Sequence, residues 1–260
     1  CARTSSMTSC PAACIGRSER LRSAMCMAAR PSVLLTASPA NNAAIRAGME
    51  IGDSLRGNVV ACAGLGVGAH ESAALVLARL GGCPLRELLL SHDDMDTDDL
   101  AHLLVVTQGA HGRHRDISDP VEVLAAMGGF EVAMMAGLML AAASKRHLIL
   151  IDGISACAAL FVALRIAEPV IDYCVFCRSH GHQGLDRAMQ LFGASAVLEL
   201  GMDSTDGTGA TLVWPLVKAA AALLTEVVDV EEHAPTTPSD LRDDTLSPPF
   251  SSMPGALGAA

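Results

Sequence analysis

His147-Leu-Ile-Leu-Ile-Asp-Gly153 is the stretch on which the fold turns. Leu148, Ile149, Leu150 and Ile151 leave no polar face, and a strand without one must be covered on both sides, as in a parallel sheet. Asp152 and Gly153 end the run, and an Ala-rich segment of helical length follows. The same step recurs on either side. Residues 58–62 (NVVAC) read as a short buried strand before Gly64, Gly66 and Gly68 and a helix over 70–80. Further strands are predicted over 170–176 and 196–200, and further helices over 41–55, from Asp96 or Thr97 through Val106, from Asp119 with Pro120 in the first turn, over 131–143, and over 212–228 with Pro215 near its start. Strand, turn and helix in repetition predict the α/β class, a Rossmann-like parallel sheet with helices on both faces. Ligands then belong beyond the carboxyl ends of the strands, where the glycine- and acid-bearing turns collect.

Composition narrows the partners. The chain has 260 residues, 51% of them hydrophobic, enough for one sizeable core. Eighteen Lys and Arg against twenty-eight acids give a formal charge of -10, which excludes the basic face that nucleic acid needs and leaves small molecules as the expected substrates. Mean hydropathy is positive. The two most apolar stretches, 124–143 and 148–171, nevertheless carry Glu131, and Asp152, Arg165 and Glu168, so the expectation is buried elements and no membrane partner. Nine cysteines are an odd number with no small-domain framework, which fits a reducing cytoplasm. Residues 1–31, rich in Ser, Arg and Cys with Glu19 as their one acid, read as a leader outside the domain. Residues 32–230 form the expected domain, and 231–260, dense in Pro, Ser, Thr and Asp, the expected disordered tail.

Several constellations compete as sites. The glycines of Ala63-Gly-Leu-Gly-Val-Gly-Ala-His70 follow a strand and open a helix, where bare amides either hold a phosphate or allow close packing. Cys174, Cys177, His180 and His182 have zinc-like spacing, but residues three apart on a strand point to opposite faces, so two buried thiols are the reading. Asp94, Asp96 and Asp98 begin like a calcium loop, yet Asp99 stands where its glycine belongs and Val105 where its bidentate acid belongs. His111 and His114 read as a polar loop. Asp206, ahead of Gly207, Thr208 and Gly209, is either a helix cap or a base working on a molecule bound at the helix end.

Taken in order, NxxAxxAG (41–48), GVG (66–68), GGFEVAMMAG (128–137), IDGISACAAL (151–160), LELGM (198–202) and DGTGA (206–210) resemble the nicotinate-nucleotide:dimethylbenzimidazole phosphoribosyltransferase family. The resemblance implies a Rossmann-like domain with a partial small helical subdomain, in a homodimer or with a partner subunit, and neither metal nor other cofactor. It implies transfer of the phosphoribosyl group of nicotinate mononucleotide to dimethylbenzimidazole, giving alpha-ribazole 5'-phosphate. Asp206 falls where the family has its glutamate base. Gly66, Gly68, Gly128, Gly129, Asp152, Gly153, Arg178, Ser179, Gly207, Thr208 and Gly209 become the expected phosphate and substrate contacts. Three departures accompany the match: Asp206 is a methylene shorter than glutamate, the acid before the family's GxG is Gly64, and its phosphate-assisting lysine is Leu103, with Arg178 as the replacement charge. The portion that completes the aromatic-base pocket has no counterpart in 1–31. A changed acceptor base, or a paralogue that binds nucleotide without turnover, is the alternative.

Overall fold

The computed structural model describes residues 39–89 and 97–226; the segments 1–31 and 231–260, together with Asp94 and Asp96, lie outside them. Three strands, β1 (Val59–Cys62), β2 (Leu148–Asp152) and β3 (Cys174–Cys177), pair in parallel in that order. The helices are α1 (Pro39–Ser54), α2 (Ala69–Gly81), α3 (Thr97–Arg113), α4 (Pro120–Met127), α5 (Phe130–Ser144), α6 (Ile154–Ile166), α7 (Gln183–Gln190) and α8 (Thr208–Glu226).

The apolar run of β2 is divided by the pleat, as a strand covered on both faces requires. Ile149 and Ile151, with Phe176 of β3, enter the main core against α2, α5 and α6, while Leu150 and Cys177 face the opposite layer and pack with Ala210 and Val213 of α8. Cys174 packs with the main core and Cys177 with the other cluster, so the two thiols are separated by the sheet. Among the described residues no group of three His, Cys, Asp or Glu is arranged to hold a metal ion.

Two sequence motifs explain each other in the packing of α1 on α5. A Cβ at Gly48 would stand 1.9 Å from the Met134 carbonyl oxygen, and one at Gly137 would stand 2.0 Å from that of Ile45. Each glycine makes room for the other helix's backbone. Asp119 caps α4 as expected, accepting from the amides of Val121 and Glu122.

Three expectations change. The strand expected over 170–176 starts only at Cys174, because Glu168–Tyr173 is a 3-10 turn with Pro169 in its first positions, where the fixed φ and missing N–H suit a helical start. No strand forms over 196–200: Ala196 and Leu198 pack partly against the two core clusters, but a single bond, from Val197 N–H to the Phe176 carbonyl at 2.9 Å, joins the segment to β3 and no ladder follows. Helix α3 runs past Val106 to Arg113 and takes in His111, since Arg79 of α2 donates to the carbonyls of His111 and Arg115 and secures the end.

Segments 124–143 and 148–171 are each broken into separate buried elements. Helix α8 is the one described helix long and apolar enough, by length and composition, to cross a membrane. Pro215 lies inside α8 and not in its first turn. Contacts divide the chain into Cys1–Lys218 and Ala219–Ala260. The first unit holds the sheet and the site; the described part of the second is the end of α8, with Leu223 and Leu224 exposed.

Candidate functional site

The loops after β1 and β3 and the loop before α8 open on one cavity of ≈ 450 Å³ at the carboxyl edge of the sheet. Gly64, Leu65, Gly66 and His70 reach it from the β1–α2 turn, His180, Gly181 and His182 from the loop after β3, and residues 203–206 from the loop before α8. The two later loops are stitched together by a bridge between His180 and Asp203 and by Ser204, whose amide and hydroxyl both donate to the Ser179 carbonyl, at 3.1 and 2.8 Å.

Whether Asp206 caps α8 depends on which side chain reaches the amides of that helix. Asp152, at the end of β2, does so: its Oδ2 accepts from Gly207 N–H and Ala210 N–H, both at 2.9 Å, and from the Ser179 hydroxyl at 2.6 Å. Gly209 N–H donates to Ser179 Oγ at 2.8 Å, and Thr208 N–H to the Thr205 carbonyl. The helix is thus capped from the sheet and not by its own preceding residue. The polar groups expected to meet substrate at Asp152, Ser179, Gly207, Thr208 and Gly209 are engaged inside the protein, and these residues build the frame of the cavity.

Asp206 is left to do something else. Its Oδ1 lies 2.9 Å from His180 Nε2 in a hydrogen bond, and its Oδ2 lies 3.6 Å from His70 Nε2, an ion-pair distance too long for a hydrogen bond. Gly153, at φ +89°, brings bare backbone against the same carboxylate: a Cβ there would sit 2.0 Å from Asp206 Oδ2. Burial works to raise the Asp206 carboxyl, but the hydrogen bond from His180 and the nearby His70 ring outweigh it and hold the carboxyl below its ordinary value. The same hydrogen bond raises His180 above the ordinary imidazole value, against desolvation and with help from the charges of Asp206, Asp152 and Asp203.

Of the other expected contacts, Gly66 lines the cavity, Gly68 begins α2 beside it in a left-handed turn, and Gly128 and Gly129 form the junction between α4 and α5, outside the cavity lining. Arg178 is held by Asp186 at 2.7 Å and Glu199 at 3.3 Å, and its Nε donates to the His180 carbonyl, so its charge is answered within the protein and its role is to fix the His180 loop. The sequence reading gives His70 no site role, and places His180 only in the zinc-like set with Cys174, Cys177 and His182. Asp206 and Asp152 lie far from His180 along the chain, and no spacing rule joins them to an imidazole on another loop.

An α/β chain with a parallel sheet and an acid–imidazole cavity at the carboxyl edge defines the class. The chain belongs to the phosphoribosyltransferase family whose model, described by that word, matches residues 35–234. It is 41% identical over 170 residues to the nicotinate-nucleotide--dimethylbenzimidazole phosphoribosyltransferase of Cupriavidus taiwanensis, covering 65% of this chain and 49% of that protein. To the protein of the same name from Ralstonia nicotianae it is 41% identical over 189 residues, covering 70% and 52%. Its fold matches the crystal structure of CobT from Thermus thermophilus with a TM-score of 0.64 at 26% identity, over 71% of this chain and 56% of that one. The chain therefore spans about half the length of the relatives it matches.

Proposed function

We propose that this chain transfers the phosphoribosyl group of nicotinate mononucleotide to a benzimidazole-type base, giving alpha-ribazole 5'-phosphate and nicotinate for cobalamin synthesis in the cytoplasm, as a homodimer or with a partner subunit. The observation that supports this reading is the Asp206 carboxylate, in the DGTGA stretch that resembles the family's base-bearing motif, in the lining of a cavity at the carboxyl edge of the sheet. Nicotinate leaves a pyridinium glycoside as a neutral ring and needs no proton. The incoming azole attacks through one nitrogen while its other N–H becomes acidic, so the site must supply a place for that proton and negative charge to draw it. Asp206 supplies the charge, and it also faces the positive sugar carbon of the transition state. The loop of Gly66 and Gly68 before α2 is the proposed seat of the 5'-phosphate, since amides at a helix start favour an anion.

A second reading, a paralogue that binds nucleotide with little turnover, is favoured by Gly64. A Cβ there would stand 2.3 Å from the Ser155 Cβ, so the family's acid has no room at that position. The purified chain incubated with nicotinate mononucleotide and a panel of azoles, purines and phenols separates the readings by nicotinate release. Release with benzimidazoles supports transfer; binding without release selects the paralogue; release only with a purine or phenol changes the acceptor.

A further inference from the structure

We propose that the imidazole of His180, and not a carboxylate oxygen, is the group that receives the proton from the incoming base, with Asp206 as the residue that positions and polarises it. This rests on the transferase reading above and specifies its proton route.

Exposure is the first reason. The Asp206 side chain is only 2% exposed, against 12% for His180 and 30% for His70. Its Oδ1 is occupied by His180 Nε2, and its Oδ2 lies against the backbone of Gly153. Both residues line the cavity, but His180 presents the larger surface to it and holds the Asp206 carboxylate at the same time.

Geometry then assigns the two ring nitrogens. With Nε2–H donated to Asp206 Oδ1, the tautomer leaves the Nδ1 lone pair as acceptor, because the hydrogen bond at one imidazole nitrogen decides the state of the other. The backbone at His180 is fixed by its bridge to Asp203 and by Arg178 Nε, which donates to its carbonyl at 3.2 Å. The ring is thus held from both ends, as a base oriented by a third group must be.

The step balances as written. One azole nitrogen forms the new bond to the anomeric carbon while the bond to the pyridinium nitrogen breaks, its electron pair returning to nicotinate. The remaining azole N–H passes its proton to His180 Nδ1. The imidazolium so formed is neutralised by Asp206, and the product azole leaves uncharged on both nitrogens.

The groups facing His180 are Asp206 from the start of α8, Asp152 from the end of β2, Asp203 from the bridging loop, and two rings whose centroids each lie 6.2 Å away, His70 of α2 and His182. The three acids favour imidazolium, so His180 becomes a competent base only as pH rises through a value above the ordinary imidazole one.

The test is nicotinate release at saturating nicotinate mononucleotide and dimethylbenzimidazole from pH 5 to 9, for the wild-type chain and for His180→Gln, His70→Gln and Asp206→Asn. The expected wild-type kcat rises with pH to a plateau, with its midpoint above the ordinary imidazole value. His180→Gln lowers kcat by about 100-fold or more, as loss of general base catalysis does, changes KM for nicotinate mononucleotide by less than about 3-fold, and removes the pH dependence. His70→Gln lowers kcat less and keeps the pH dependence. An NMR titration of the His180 ring without substrate is expected to move toward the ordinary value in Asp206→Asn. A wild-type kcat that is flat across this range, or loss and flattening that follow His70 in place of His180, overturns the proposal while leaving the transferase reading intact. No release with any base overturns both.

Discussion

Replacing Asp152 by alanine removes both carboxylate oxygens and strands the three donors held by one of them. Asp152 is fully buried, and its Oδ2 accepts from the Ser179 hydroxyl at 2.6 Å and from the amides of Gly207 and Ala210 at 2.9 Å each. Hydrogen bonds to a charged acceptor contribute about 1.5–3 kcal/mol apiece. Three of them set a nominal loss of about 4.5–9 kcal/mol, but they share one atom and do not add fully, so about 4 kcal/mol is the expected cost. For a domain of this size that corresponds to a fall in Tm of roughly 8–16 °C. Asp152→Asn is the informative companion, since its oxygen can keep the three donors and its NH2 can occupy the place of Oδ1, which has no hydrogen-bond partner. It loses the charge assistance, about half the effect, or about 2 kcal/mol, and its buried NH2, left without an acceptor, adds about 1 kcal/mol. Urea and thermal unfolding followed by circular dichroism measure both. An alanine variant costing under about 1 kcal/mol, or less than the asparagine variant, would refute the assignment of Asp152 as the cap of α8.

Gly153→Ala is expected to lower both stability and turnover, because φ +89° is strained for any Cβ and the new methyl collides with Asp206 Oδ2; a variant that melts and turns over like the wild type would show that this contact is absent. The His180–Asp206 pair also predicts a pH signature in stability. The raised His180 contributes stability that is complete below its unfolded value and is lost as pH rises through the folded one, whereas the lowered Asp206 contributes above its unfolded value and loses it on acidification. Asp206→Asn therefore costs more at pH 5.5 than at pH 9 in urea midpoints, and equal costs at both would contradict the pairing.

Much of the fold was legible because its signals are local. A continuous apolar run at 148–151 has one reading in a chain that alternates with helices, and Asp119 before Pro120 specifies a helix start by its own chemistry. Errors fell where tertiary context decides. Pro169 turned an apolar segment into a 3-10 turn, and residues 196–200 had strand-like composition but gained only one ladder bond. In the candidate site, the motif draws attention to Asp206 but leaves capping open, since the competitor for the helix amides, Asp152, lies on a strand much earlier in the chain. His180 carried no marker beyond a spacing that pointed to zinc. A histidine acquires its function from the carboxylate it meets, and that meeting is a property of two loops and not of either segment.

Gly48 and Gly137 have a consequence for how α1 is held. Each removes the atom that would otherwise occupy the position of the other helix's carbonyl, so the two backbones interlock at one setting only. Sliding α1 by a turn, about 5.4 Å, in the direction that brings Ala44 to the place of Gly48 would drive a Cβ into that narrow seam. The seam therefore works as an indexing notch: it fixes the axial placement of a helix whose outer face makes few demands of its own, and a bulkier residue on either side would shift the whole element and not merely loosen it.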